Sequence, residues 1–296
     1  MIILAHSTNE TFLRHCQSIN KTIKGKIYGG IRKSLLSYFT DILKTRVFKK
    51  ESLFVYNVSM ANLLTSFLSR FNNCKIIFHI HDPKPHSGVL NPLIYAIQFL
   101  QILISDTLLV FDRALIKDIK KLYLTRNNPI VIIKHGSPEY KYTAYKMDKK
   151  KFNFGFFGRN MGYKNVNRFV QLSKKFPEAE FHILGSGYEK INNNLKNLKI
   201  TNNYINNDLY YSAMRDMDYI VLPYTEISFS GVLSDCYALN KKMLVSKHVL
   251  EKYPSKQASL IGDFVPKKQT LKNTKNMYND GWKAYAYVLQ KIQHSS

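Results

Sequence analysis

The sequence predicts an α/β protein made of two doubly wound, Rossmann-like domains. Three observations carry this prediction. Short apolar runs alternate with helix-period segments along nearly the whole chain; a polar, basic stretch without periodicity interrupts that alternation near the middle; and 296 residues suffice for two separate cores.

The elements follow in order. The run IILA (2–5) opens the chain with no basic segment before it and is too short for a secretory leader, so it reads as a first strand of a cytoplasmic protein. LFVYN (53–57), KIIFHIH (75–81), TLLVF (107–111) and IVIIKHG (130–136) are further strands. Between them VSMANLLTSFLSRF (58–71) places Met60, Leu63, Leu64, Phe67 and Leu68 at helical intervals, and ALIKDIKKLYL after Arg113 repeats the pattern. The uncharged run PLIYAIQFLQILI (92–104) falls short of the roughly 20 residues that span a bilayer. It is expected to be a buried domain helix rather than one resting on a membrane surface. SPEYKYTAYKMDKKK (137–151) suits a linker, which places the boundary near residue 145. FNFGFF (152–157) restarts the alternation. It continues through the helix NVNRFVQLSKKF, the strands EFHILG and KITNNYI, the helix DLYYSAMRDM, the strand YIVLP, the helix GVLSDCYAL and the strand KKMLVS. The expected division is 1–145, 146–275, and a last helix in 276–296 that can return to the first domain.

Composition narrows the functional classes. A hydrophobic share of 45% excludes a disordered chain, and Cys16, Cys74 and Cys236, odd in number and far apart, are expected as buried thiols. Lysine and arginine number 44 against 20 acids, a net +24, so anionic partners are electrostatically cheap. No nucleic-acid motif accompanies the charge, and an anionic membrane surface is the preferred partner class.

In open parallel sheets ligands bind beyond the carboxyl ends of the strands, where helix N-termini present free N–H groups. That rule selects Asn57, His81 with Asp82, Asp112 and His135 in the first half. In the second half it selects Gly158 with Arg159, the Gly185-Ser186-Gly187 turn, Pro223 with Tyr224, and the turn from Ser228 to Gly231. FFGRNMGYKN sets a glycine turn, Arg159 and Lys164 just after a buried strand. Such a cation pair can neutralise a diphosphate, although two exposed cations on a turn are also ordinary in so basic a chain. In YTEISFSGVLSDCYAL, Ser230 and Gly231 let backbone approach a ligand. Asp235, one turn into the helix, can bind two ribose hydroxyls or simply complement the helix dipole.

As a set, FGR with a following lysine, LGSG, DMDYIVLP and G-x-L-x-D-x-Y-A-L resemble, in this order, the GT-B glycosyltransferases of the glycogen-synthase-like, capsule and lipopolysaccharide branches. The resemblance covers most of the second half and, more loosely, the strand ends of the first. It implies a GT-B fold in which a nucleotide-sugar-binding domain (146–275) faces an acceptor-binding domain (1–145) across a cleft. It further implies transfer of a hexose from a UDP- or GDP-type sugar, without cofactor or metal, to a glycan or lipid-linked glycan in surface polysaccharide synthesis. Gly158, Arg159, Lys164, Gly185, Ser230 and Gly231 would hold the donor phosphates or sugar, and Asp235 the ribose. The family's glutamate pair E-x7-E is missing: Glu226 stands nine positions before Asp235, so its contact with the donor sugar, and the donor's identity, stay open.

The first half carries HIHDPKPHSG, in which prolines stiffen a loop bearing His79, His81, Asp82 and His86. No fourth ligand with site-like spacing appears, so zinc is not expected. Similar loops in the resembled family border the acceptor and the reacting sugar, which makes Asp82 the general base if the enzyme inverts, an outcome the sequence leaves open, with His81, His86 and His135 contacting hydroxyls or phosphate. Asp216-Met217-Asp218 has a metal-binding D-x-D form but sits at the wrong strand end, and GSG at 185–187 lacks the third glycine of a dinucleotide fingerprint. Two other classes remain as rivals: a nucleic-acid-binding protein exploiting the charge, and a sugar-nucleotide-binding homologue without turnover.

Overall fold

The computed structural model describes residues 1–6, 16–17, 19–21, 23, 26–30, 52–83, 92–123, 128–133, 140–191, 194–262, 264 and 281–294. The chain divides into two compact units, Met1–Pro138 with Asn279–Ser296, and Glu139–Tyr278.

The first unit is built on six parallel strands, β1 (Ile2–His6), β2 (Lys26–Gly30), β3 (Leu53–Val55), β4 (Ile76–His79), β5 (Thr107–Val110) and β6 (Ile130–Ile132), in the order β2-β1-β3-β4-β5-β6. Its inner strands read as unbroken apolar runs because a parallel sheet is covered on both faces: β3, β4 and β5 are buried at every position. Helix α1 (Met60–Arg70) starts at Ser59, whose Oγ accepts the Asn62 amide at 3.1 Å, α2 spans Pro92–Ile104, and α3 (Arg113–Leu122) starts at Asp112, which accepts the Ala114 amide at 2.8 Å.

The apolar stripe of α1 is divided: Leu63 is buried beside Asn62, Thr65, Ser66 and Ser69, while Met60, Leu64, Phe67 and Leu68 are exposed. The expectation of a buried α2 holds for one face only, where Ile97 and Ile102 lie inside with Gln98 and Gln101, whereas Leu93, Leu100 and Leu103 are exposed. Periodicity finds a face but does not say which side it turns to.

The second unit carries β7 (Asn153–Phe157), β8 (Glu180–Gly185), β9 (Leu198–Asn202), β10 (Tyr219–Leu222), β11 (Met243–Val245) and β12 (Ala258–Leu260), all parallel, in the order β12-β11-β10-β7-β8-β9. The order reverses direction between β7 and β10, which is where such a sheet opens its crevice. A 3₁₀ turn (Gly162–Lys164) and α4 (Val166–Lys175) follow β7. Helix α5 (Asn207–Asp216) precedes β10, and α6 (Gly231–Ala238) and α7 (Lys247–Lys252) flank β11. The core is aromatic, with Phe154 stacked on Phe181 at 4.8 Å and Phe264 edge-on to Tyr219 at 4.9 Å.

Residues 140–145 run along α5 instead of hanging free. Asp208 accepts the Lys141 amide, Asp216 accepts both the Tyr142 hydroxyl and the Tyr145 amide, each at 2.8 Å, and Arg215 covers the Tyr142 ring. Asp218 accepts the Asn153 amide at 2.8 Å, so both D-x-D carboxylates hold backbone or linker in place. The last helix, α8 (Gly281–His294), belongs to the first unit: Tyr285 is buried and hydrogen-bonded to Nδ1 of His79 at 3.0 Å, and Lys75 Nζ donates to the Ile292 carbonyl at 2.7 Å. Among the described residues no helix is long and apolar enough to cross a membrane.

Candidate functional site

Gly158 is the centre around which the predicted donor residues of the second unit converge. It follows β7 with φ +97°, a conformation that a side chain resists. A Cβ there would lie 2.6 Å from the Lys164 ammonium and 3.9 Å from Val232 in the first turn of α6. On its other side Gly185 closes in: a Cβ at residue 185 would sit 2.0 Å from the Gly158 carbonyl oxygen, so the two turns touch backbone to backbone. The contact is locked by the Gly158 amide donating to Leu184 (2.9 Å), the Tyr188 hydroxyl donating to the Gly158 carbonyl (2.6 Å), and Asn160 donating to the carbonyls of Ser186 (2.8 Å) and Gly187 (2.7 Å).

Lys164 is buried, which is unusual for a lysine. Its ammonium donates to the Phe157 carbonyl at 3.4 Å and stands 5.9 Å from the centroid of the Tyr224 ring. Burial, and then the charge of Arg159, depress its pKa to about 8. Arg159 itself is exposed. Two cations that repel one another at a strand end are relieved by an anion between them. The turn bearing Lys164 is pinned to the strand-end loop, because Thr225 donates its amide to the Tyr163 carbonyl at 2.8 Å.

The loop from Tyr224 to Ser230 is held by its carbonyls: Tyr224 accepts from Ser246 Oγ at 2.6 Å, and Ser228 accepts from the Tyr253 hydroxyl. It delivers Ser230 as the N-cap of α6, its Oγ accepting the Leu233 amide at 3.3 Å. The first-turn amides beyond it, from Gly231 onward, have no acceptor within a helix. Asp235 is 5% exposed, and its two oxygens accept the hydroxyls of Tyr211 and Tyr210, each at 3.1 Å. Tyr210 also packs edge-on against Phe157, linking this acid to the Gly158 turn. The carboxylate drives the Tyr210 pKa up further, after burial.

The fold thus gathers Gly158, Lys164, Gly185 and the Ser230-Gly231 turn around one point, with Arg159 beside Lys164 and Asp235 behind Tyr210. Glu226 is exposed on the loop, and buried Ile227 follows it. Tyr188, Tyr210, Tyr211 and Asn160 carry no mark in the sequence, since tyrosines in a chain with 20 of them give no signal before their partners are known. A cavity of about 750 Å³ nearby is lined by Asn165, Arg168, Tyr224, Ser246 and Lys247 but by none of the converging residues, so the strand-end turn itself is the candidate.

In the first unit the His79 and His81 rings lie with centroids 4.2 Å apart, tilted to one another, against Tyr56 and Phe111. Asp82 follows at the end of β4, half-buried, its carbonyl accepting from Gln98 at 3.1 Å, and the Pro83 carbonyl accepts the Tyr123 hydroxyl at 2.8 Å. His86 and His135 lie outside the described residues.

No protein-family model and no curated protein matches the chain. Solved structures do. Sucrose-phosphate synthase from Thermosynechococcus elongatus superposes with a TM-score of 0.65 at 12% identity, over 99% of this chain and 90% of that one. Anabaena HepE, crystallised with UDP and glucose, superposes at 0.61 and 13% identity, over 83% and 80% of the two chains. UDP-GlcNAc 2-epimerase from Neisseria meningitidis bound to UDP-GlcNAc gives 0.58 at 12% identity, over 99% and 100%. The fold is GT-B, two doubly wound parallel sheets.

Proposed function

We propose that the chain is a glycosyltransferase that moves a hexose from a UDP- or GDP-type sugar to a glycan or lipid-linked glycan acceptor of surface polysaccharide. The observation that carries this reading is the buried Lys164 ammonium with Arg159 beside it, at a glycine turn open to the first turn of α6. Neighbours of the same fold, HepE and the epimerase, are bound to UDP or UDP-GlcNAc, which favours a sugar nucleotide as the anion.

In this reading the donor diphosphate lies between Lys164, Arg159 and the Gly231 amide end of α6. As the bond from the anomeric carbon to the diphosphate oxygen breaks, the charge left on that oxygen is met by fixed cations and amides, the role a divalent metal plays in other transferases. Asp235, held by the Tyr210 and Tyr211 hydroxyls, takes the ribose hydroxyls. On the first unit Asp82, aided by His81, accepts the proton of the acceptor hydroxyl. The backbone around Asp82 is held by Gln98 and Tyr123, as a positioned base requires.

The test is a thermal-shift panel with UDP, GDP, ADP and CMP sugars on the wild type, Arg159→Ala and Asp235→Ala. At least one sugar nucleotide should stabilise the wild type, with affinity lowered ten-fold or more in Arg159→Ala. No stabilisation by any of them sinks the proposal. Stabilisation without release of labelled sugar to water or acceptor would instead identify a binding protein without turnover.

A further inference from the structure

Tyr224, just past the end of β10, is buried beneath the Gly158 turn. The Lys164 ammonium stands 5.9 Å from the centroid of its ring, and Tyr163, next to Lys164, meets that ring edge-on at 5.8 Å. Its hydroxyl lies against the side chain of Ser230, the N-cap of α6. That hydroxyl is shut off from solvent, yet it makes no hydrogen bond of proper geometry to Ser230 or to any other described group. Neighbouring tyrosines behave differently. Tyr188 donates to the Gly158 carbonyl, Tyr210 and Tyr211 donate to Asp235, and Tyr253 donates to the Ser228 carbonyl. The backbone fixes Tyr224 in this position, because Ser246 Oγ donates to its carbonyl at 2.6 Å and the Thr225 amide donates to the Tyr163 carbonyl at 2.8 Å. A buried hydroxyl without a partner destabilises a fold, whereas a phenylalanine of the same shape does not. The ligand-free fold therefore gives no reason for the phenol oxygen.

We infer that Tyr224 is a positioning residue for a bound diphosphate: its hydroxyl donates to Ser230 Oγ when the anion arrives and turns the Ser230 proton toward a phosphate oxygen. A serine hydroxyl has one proton and two lone pairs. The Leu233 amide uses one lone pair of Ser230 at 3.3 Å, and the Tyr224 O–H takes the second. The Ser230 proton is then left for the crevice side, where Gly231 is exposed at the start of α6. A row of hydroxyls that ends on an anion is polarised along its length, and each bond in it strengthens. Without the anion no charge draws the row in that direction, in keeping with the open contact between Tyr224 and Ser230. The inference rests on the sugar-nucleotide reading of this turn, but it asks only for the diphosphate.

The test is calorimetric titration of the full chain with inorganic pyrophosphate and with UDP- and GDP-sugars. Tyr224→Phe should melt at or above the wild-type temperature without ligand, yet bind pyrophosphate and the preferred sugar nucleotide about five-fold or more weakly. Ser230→Gly removes the hydroxyl and leaves a residue that helix N-termini accept. It should weaken binding at least as much, and adding Tyr224→Phe to it should change affinity by less than about two-fold. Ser230→Thr restores a hydroxyl, and in that background Tyr224→Phe should again weaken binding. A purely structural tyrosine would not make its effect depend on the hydroxyl at residue 230. Undiminished affinity in Tyr224→Phe, an undiminished loss in the Ser230→Gly background, or a Tyr224→Phe protein that melts below the wild type each overturns the inference and leaves the sugar-nucleotide reading standing. Pyrophosphate binding that depends on Tyr224, with no sugar nucleotide bound, keeps the inference and sinks that reading. Wild type that binds neither sinks both.

Discussion

Lys164 sets stability against binding at a single side chain. Its ammonium loses its proton near pH 8 in the folded protein, whereas an unfolded lysine does so near 10.5. Between those values the unfolded chain holds more protons, so Lys164 contributes a stability that rises with pH through that window; below pH 8 the cost of burying its charge is fully present. Lys164→Met should therefore stabilise the ligand-free protein at pH 7 by on the order of 2 kcal/mol, and its melting temperature should climb less than the wild type's between pH 7.5 and 9.5. Sugar-nucleotide affinity should move the other way, falling in wild type above pH 8 and lowered throughout in the variant. A Lys164→Met protein that binds as the wild type does would remove this lysine from the site. Gly185 allows a sharper test. Its Cβ would overlap the Gly158 carbonyl at 2.0 Å, so Gly185→Ala should cost about 3 kcal/mol or more in urea unfolding and abolish nucleotide protection. Most of the second unit's site is readable at this scale, because strand ends, glycines and cations are marked by residue type. The tyrosines around Asp235 are not, since a hydroxyl's role depends on a partner distant in sequence.

At the scale of elements, legibility follows burial. Strands such as β4 and β10 are unbroken apolar runs and can be read directly, as can the capped helices α3 and α5. β2 and β12 cannot, because KIYGG and ASL carry too little apolar signal for strands that lie at sheet edges. The outward face of α1 and α2 escapes the sequence for a different reason: a period reports a stripe, and its direction is fixed by what the neighbours accept. Among the polar residues these helices bury, Asn62 holds Asn57 just past the end of β3, and Gln98 holds the Asp82 backbone. Gln98→Leu should therefore leave the fold intact within about 1–3 kcal/mol yet lower turnover, because the Asp82 carbonyl loses its donor. Turnover unchanged in a stable Gln98→Leu protein would separate Asp82 from the chemistry.

For the whole molecule, two units with separate cores imply that stability is not one number. The C-terminal helix α8 joins the first unit through contacts far away in sequence: Tyr285 fills space beside Phe54, His79 and Phe111, and Lys75 holds the Ile292 carbonyl. Such distance leaves its destination out of reach of any local pattern. A sugar nucleotide bound at the Gly158 turn touches only the second core, whereas ending the chain at residue 278 strips the first core of Tyr285, Ala286 and Leu289, all fully buried. Calorimetry of the wild type should thus resolve into two transitions. Saturating nucleotide sugar at a hundred times its Kd should raise one of them by about 2.7 kcal/mol equivalent. Truncation after Tyr278 should lower or erase the other and leave the ligand-responsive transition in place. If truncation instead removes the ligand-responsive transition, the second unit depends on α8, and the division of the chain into separately stable halves is wrong.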